Sequence, residues 1–262
     1  ANMANRTYIE DLCHQLRMPA MARDAERRAT EAARQETRPL DYLIGLLETE
    51  IEERNDRRVD RRIKEAGFPI LKTFEGFDFT KVPHLPEARI RELATGAYLA
   101  RAEPILLLGD PGTGKTHLAT ALGVEAARQG HLVRFTTAGR LVTELTEARD
   151  ARELGRVVAR YERIDLLVLD ELAYLPLSQI DAELLFRVLG ERHERRSIIV
   201  TTNLPFAEWT SIFPDPRLCR AVVDRLTHRA HIIDTGKKSI RFTETLERNN
   251  RRKEKTKDQT ES

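Results

Sequence analysis

The stretch EPILLLGDPGTGKTHLATALGVEAARQG, Glu103–Gly130, decides the fold. Ile105–Leu108 is an aliphatic run of the kind that forms a buried strand. Gly109, Gly112 and Gly114 follow within six residues, and a helical pattern opens at Lys115. A glycine-rich loop loses more conformational entropy on ordering than other sequences do. A group bound in the loop would offset that cost.

The spacing names the group. Gly109, Asp110, Pro111, Gly112, Thr113, Gly114, Lys115 and Thr116 fit G-x-x-x-x-G-K-[ST], the phosphate-binding loop pattern, and His117 closes the segment. Glycines let successive backbone N–H groups turn inward as a nest for phosphate oxygens. Lys115 supplies a charge at the β- and γ-phosphates, and the Thr116 hydroxyl is a Mg²⁺ ligand. The helix beginning at Lys115 points its N-terminal dipole at the same anion. The expected ligand is ATP with Mg²⁺.

Further apolar runs lie downstream at 132–137, 165–170, 197–202 and 231–234, with helical patterns between them. With the run at 104–109 they predict a parallel five-stranded sheet with right-handed helical crossovers, an α/β fold. The run IDLLVLDEL, Ile164–Leu172, ends in two acids. Asp170 is expected to hold the Mg²⁺ beside Thr116, and Glu171 to activate a water. A pair of acids at a strand end also marks surface turns; a phosphate loop upstream favours the catalytic reading. The run IIVTTNLP, Ile198–Pro205, ends in Thr201, Thr202 and Asn203. Asn203 is expected at the γ-phosphate, because strand ends in such sheets face the ligand crevice. Arg217, Arg220, Arg225, Arg229 and Arg241 are candidates to meet transition-state charge, and spacing alone does not choose among them.

Residues 6–66 carry helical periodicity. They predict a first helix ended by Pro19, a second over 21–35 and a third from Pro39 to Gly67. The division expected is a helical domain at 1–67, a linker at 68–85, an ATPase domain at 86–247 with a helix over 86–100, and a disordered charged tail at 248–262. Arg54, Arg58 and Arg62 form one row on the third helix. Arg140, Arg149, Arg152, Arg156, Arg160 and Arg163 crowd two helices expected over 138–163. Both groups are candidate contacts to DNA phosphates; the plainer reading of the first is a solvated face paired with Glu48, Glu52 and Glu53.

Of the 262 residues 40% are hydrophobic and 33% charged, with a net charge of +2, so bulk charge does not mark a nucleic-acid binder. Two cysteines, Cys13 and Cys219, exclude a disulfide framework or a cysteine-rich zinc site and suit a reducing cytoplasm. No apolar run approaches the roughly 20 residues of a membrane span.

GDPGTGKT, LLVLDE, TTN, DRL and SIR in this order resemble the AAA+ ATPases of the initiator and helicase-loader group. The nearest likeness is to the IstB-like family, the transposition helper ATPases of bacterial insertion sequences, and it covers almost the whole chain. The resemblance makes Gly109–Thr116 Walker A, Asp170 and Glu171 Walker B, and Asn203 sensor 1. It makes Arg225 a finger supplied to a neighbouring subunit and Arg241 sensor 2. It implies a homo-oligomer promoted by ATP and DNA, sequence-independent binding and remodelling of duplex DNA, and help to a cognate transposase. A DnaC-like helicase loader is the rival reading. A replication initiator would need a helix-turn-helix domain, which is not expected after Arg241. A GTPase would need N-K-x-D after a strand, and a small-molecule kinase would not need a helical prefix.

Overall fold

The computed structural model describes residues 3–172, 176–237 and 239–240. It divides into two compact units, one up to Arg61 and one from Arg62.

The first unit is helical. Its helices are α1 (Met3–Gln15), α2 (Pro19–Arg34) and most of α3 (Pro39–Ala66). Pro19 does not end α1; the chain leaves α1 at Gln15, turns through Arg17 at φ +55°, and starts α2 at Pro19. Proline lacks the N–H that a first-turn residue cannot use, so it suits that place. The residue before it, Met18, gives α2 no side-chain cap. Glu50 of α3 does so instead: its carboxylate, 3% exposed, accepts from the Ala20 and Met21 N–H groups at 2.8 and 3.1 Å. Arg54 donates to Glu50 and to the Arg17 carbonyl, and Arg57 pairs with Glu53 and Glu50. Of the row Arg54, Arg58 and Arg62, Arg54 thus pairs with Glu50 and Arg62 with Glu65, while Arg58 is exposed and makes no ion pair among the described residues.

The second unit is a layered α/β structure. It contains α4 (Glu87–Ala94), α5 (Ala97–Ala100), β1 (Ile105–Leu108), α6 (Lys115–Arg128), β2 (Val133–Thr137), α7 (Ala138–Asp150) and α8 (Leu154–Glu162). Then come β3 (Leu166–Asp170), α9 (Gln179–Arg192), β4 (Ser197–Thr202), α10 (Pro216–Thr227) and β5 (His231–Asp234). The single helix expected over 86–100 is two, because the chain turns at Gly96 with φ +84°. The five expected strands all form, one or two residues shorter in places, and all pair in parallel in the order β2-β3-β4-β1-β5.

Handedness explains where the helices lie. The step from β1 to β2 runs one way across the sheet and the later steps run the other way. Right-handed crossovers must therefore use opposite faces. Leu118 and Leu122 of α6 pack on one face with Ile105, Leu107, Leu166, Val168 and Ile199. Leu141, Val158, Leu185 and Val222, from α7 to α10, pack on the other with Leu106, Leu167, Leu169, Ile198 and Val200. Alternate strand residues serve alternate faces, which is why the central strands β1, β3 and β4 carry aliphatic runs buried on both faces. Residues 68–85 complete the α6 face, burying Phe77, Val82 and Leu85.

At the amino ends of the strands one cation is sealed in. Arg192, the last residue of α9, is 1% exposed and donates to the carbonyls of Tyr161, Ile164, Asp165 and Ser197 at 2.5–3.4 Å. Burial pushes its pKa down to about 9. Its four acceptors belong to the ends of α8 and the starts of β3 and β4, so it ties helix to sheet. Arg192→Met keeps the bulk and orphans those carbonyls. Urea denaturation is expected to show a loss of about 3 kcal/mol, since a buried polar group without a partner costs its desolvation; an unchanged midpoint would mean that the hydrogen bonds contribute nothing net.

Candidate nucleotide site

The carboxyl ends of β1, β3, β4 and β5 lie along one edge of the sheet, and the glycine loop leaves from the end of β1. Its backbone is one that side chains do not adopt readily. Gly109 has φ +143°, and a Cβ there would meet Thr235 and the Gly236 carbonyl. Gly114 has φ +95°, and a Cβ there would stand 2.9 Å from the Phe77 ring. The chain after β5 fastens the loop: Asp110 N–H donates to the Gly236 carbonyl at 3.0 Å, and Ile240 N–H to the Gly112 carbonyl at 3.0 Å. The Thr113 and Thr235 hydroxyls are 2.6 Å apart, and Thr235 Oγ1 also reaches the Leu108 carbonyl at 2.9 Å.

Lys115 Nζ donates to the carbonyls of Gly109 and Asp110 at 2.6 and 2.7 Å, so the ammonium lies inside the loop. Thr116 Oγ1 donates to the Asp170 carboxylate, 3.0 and 3.1 Å from its two oxygens. Asp170 is 5% exposed and receives a second hydroxyl, Thr201 Oγ1, at 2.5 Å. Buried carboxylate oxygen beside hydroxyl oxygen is the donor type that Mg²⁺ selects, usually together with substrate phosphates. Glu171 follows at φ +58° with an exposed side chain, its N–H donating to Thr201 Oγ1 at 2.9 Å. Asn203 stands just past β4 in the turn at the same edge.

Beside the loop is a cavity of about 190 Å³ whose lining includes Lys72, Phe77, Asp78, Lys81, Lys115 and His117. His117 Nε2 lies 2.9 Å from the Thr73 carbonyl, and the ring meets Phe77 edge-on at 5.1 Å. Burial pulls the His117 pKa below its ordinary value. Burial thus favours the neutral ring, and the Thr73 carbonyl, which can only accept, takes the proton of Nε2.

Arg225 is elsewhere. Its guanidinium carbon sits 4.0 Å from the Phe186 ring centroid, a cation–π stack. Gly190 of α9 lies beneath the guanidinium; a Cβ there would come within 2.5 Å of Arg225 Nη1 and would push that side chain aside. The cavity there is also lined by Pro104, just before β1, and Ile198, at the start of β4. This is the amino end of the sheet. The four residues of β1 alone put about 13 Å between it and the loop of the same chain. Arg217, Arg220 and Arg229 are exposed. Arg241, the sensor 2 expectation, and the tail at 248–262 lie outside the described residues.

The sequence pointed to Lys115, Thr116, Asp170 and Glu171, and the fold brings them to one edge with Asn203. It gave Thr201 only as one of three polar groups ending its strand, and it did not point to Thr235, Gly236 or Phe77. A threonine at the end of a buried strand and a Thr-Gly pair just after another were the available signals. Among the described residues no helix is long and apolar enough to cross a membrane, and no cluster of three or more His, Cys, Asp or Glu side chains could hold a metal.

Known proteins share this architecture. AMPPCP-bound DnaA from Aquifex aeolicus superposes with a TM-score of 0.55 at 20% identity, over 64% of this chain and 51% of that one. DnaI superposes with a TM-score of 0.53 at 17% identity, over 62% and 90%. At such identities the likeness establishes the fold, that of the AAA+ P-loop proteins. Sequence relatives are nearer. An insertion-sequence ATP-binding protein from Sinorhizobium fredii is 40% identical over 87% of this chain and 75% of its own length. The ATP-binding protein of insertion sequence IS21 from Pseudomonas aeruginosa is 39% identical over 90% and 89%. Residues 11–248 match the family described as IstB-like ATP binding protein. With a phosphate loop, a buried acid and a sheet of that order in place, the chain belongs to the IstB-like ATP-binding proteins.

Proposed function

We propose that this protein hydrolyses ATP with Mg²⁺ at a site shared between two copies of the chain, and that ATP and duplex DNA together drive its assembly in aid of a transposase. The observation that carries the ATPase reading is the run of contacts from Thr116 through Asp170 and Thr201 to Glu171 beside the glycine loop. Thr116 and Asp170 would hold Mg²⁺, which neutralises phosphate charge when bound. The loop N–H groups and Lys115 bind the triphosphate. The Glu171 carboxylate, exposed at the strand edge, takes a proton from the attacking water. Asn203 is suited to hydrogen-bond the γ-phosphate.

The position of Arg225 supports a site made by two chains. It stands at the opposite end of the sheet from its own loop, so it does not meet the nucleotide of its own chain. Nucleotide binding would then appear as oligomer stability. The insertion-sequence names of the relatives support a role in transposition.

For DNA, α7 and α8 are the better surface. Arg140, Arg152 and Arg163 are exposed and make no ion pair among the described residues, while Arg149, Arg156 and Arg160 pair with Asp150, Glu153 and Glu144. On the first unit Arg54 and Arg57 are engaged within the chain, and of its candidate row only Arg58 is exposed without an ion pair among the described residues. Contacts of this sort bind phosphates without reading bases.

Lys115→Ala is expected to abolish ATP binding in calorimetry, and Glu171→Gln to bind ATP and stall its hydrolysis. A Glu171→Gln protein turning over at the normal rate would remove Glu171 from the chemistry.

Replacing Arg140, Arg152 and Arg163 together by alanine should weaken binding to duplexes of any sequence and flatten the dependence on salt by about one counterion per lost contact. Unchanged affinity and salt slope in a filter-binding titration would clear α7 and α8 of this role.

Arg225→Ala should lower kcat about 10³-fold and leave ATP binding intact. Mixed with Lys115→Ala on DNA it should regain activity, because about a quarter of head-to-tail interfaces in an equal mixture pair an intact pocket with an intact finger. No recovery at any ratio would refute the shared site.

A further inference from the structure

Three successive residues of the acidic edge are held by one residue of the neighbouring strand. Thr201 is the fifth residue of β4 and 1% exposed. The pairing of β3 with β4 runs in register from Leu166 opposite Ser197 to Leu169 opposite Val200. Beyond that point Thr201 continues it by other means. Its hydroxyl donates to Asp170 Oδ1 at 2.5 Å and accepts from the Glu171 N–H at 2.9 Å. Its carbonyl accepts from the Leu172 N–H at 3.0 Å.

The polarity of the hydroxyl is fully assigned by these contacts. A threonine hydroxyl has one proton, and here it goes to the carboxylate; a lone pair takes the Glu171 N–H. Glu171 has φ +58°, a left-handed backbone that a non-glycine residue keeps only where its surroundings over-determine it. The N–H fixed by Thr201 is part of what holds it there. The same oxygen fixes a carboxylate oxygen of Asp170, whose other hydroxyl partner is Thr116. Two groups with different tasks thus share one anchor.

We propose that Thr201 is a positioning residue that sets both acids of the site, turning the Asp170 carboxylate toward Thr116 for Mg²⁺ and fixing the backbone from which Glu171 reaches the water. The proposal rests on the reading that this site hydrolyses ATP. It also joins the acids to Asn203. Asn203 lies two residues beyond Thr201 on the same segment, so a displacement of the β4 end on loss of the γ-phosphate is felt at Glu171 through one hydrogen bond.

The test compares Thr201→Val, close in shape and lacking the hydroxyl, with Thr201→Ser, which keeps it. Binding of a fluorescent ATP analogue without Mg²⁺ is expected to stay at the wild-type level in both, because the loop is untouched. Thr201→Val is expected to need about tenfold more Mg²⁺ to reach half of the metal-dependent change in analogue binding, and to lose about 10–100-fold in kcat, as outer partners of metal ligands commonly do. Thr201→Ser restores both. Thermal melting checks folding. Should the valine protein not fold, Thr201→Cys, with its weaker S–H donor, is expected to fall between wild type and those values.

A folded Thr201→Val or Thr201→Cys protein with wild-type Mg²⁺ dependence and kcat would overturn the proposal, whatever its melting temperature. Loss of kcat that Thr201→Ser does not restore would also overturn it. Lys115→Ala and Glu171→Gln, run alongside, keep the two readings apart. If those variants still bind and hydrolyse ATP, the site itself is misassigned. If they fail as expected while the Thr201 variants behave as wild type, only the role of Thr201 is lost.

Discussion

A carboxylate 95% removed from water is the constraint around which the second unit is arranged. An isolated buried charge is costly, and proteins keep one only where hydrogen bonds or a counter-ion compensate it. Asp170 ends β3, a strand buried at every residue, and its compensation comes from side chains of two other elements. Thr116 arrives from α6 and Thr201 from β4. That meeting requires β1, which launches α6, to lie next to β4, and it does. The strand order, the direction of each crossover and the face taken by α6 are consistent with this one juncture.

The parts legible in the sequence are those written in local pattern. The central strands read as apolar runs because both faces of the sheet are covered there, and the glycine loop reads by spacing because backbone geometry dictates glycine there. Asp170 and Glu171 stand out as charges ending an aliphatic run. The parts that were not legible depend on contacts distant along the chain. Nothing near Pro19 shows that its helix is capped by Glu50, thirty residues away. Gly96 sits in a pattern that continues as helix on both sides, and only φ +84° divides it. Thr201 reads as one more polar strand end until the third dimension puts it against β3.

Charge was the least legible property of all. An arginine row on a helix looks alike whether it faces DNA phosphates or glutamates of its own surface. The structure separates these cases one residue at a time. Arg54 and Arg57 are engaged with Glu50 and Glu53, and Arg192 is sealed among carbonyls, where sequence pattern would have put a solvated helix end. Arg225 lies on an aromatic ring beside Gly190. Such differences arise from a few ångströms of side-chain placement, which composition and periodicity do not encode.

The fastening of the glycine loop to the chain after β5 bears on how the molecule opens. β5 is four residues long and, among the described residues, has a single neighbour, β1. Edge segments of this kind belong to the low end of local stability, where hydrogen exchange proceeds without global unfolding. The hydrogen bonds from Thr235, Gly236 and Ile240 place the loop and this edge in one cooperative unit. An opening of the rim would therefore reach the glycine loop through these bonds. A triphosphate seated in the loop would raise the protection of β5 amides that it never touches.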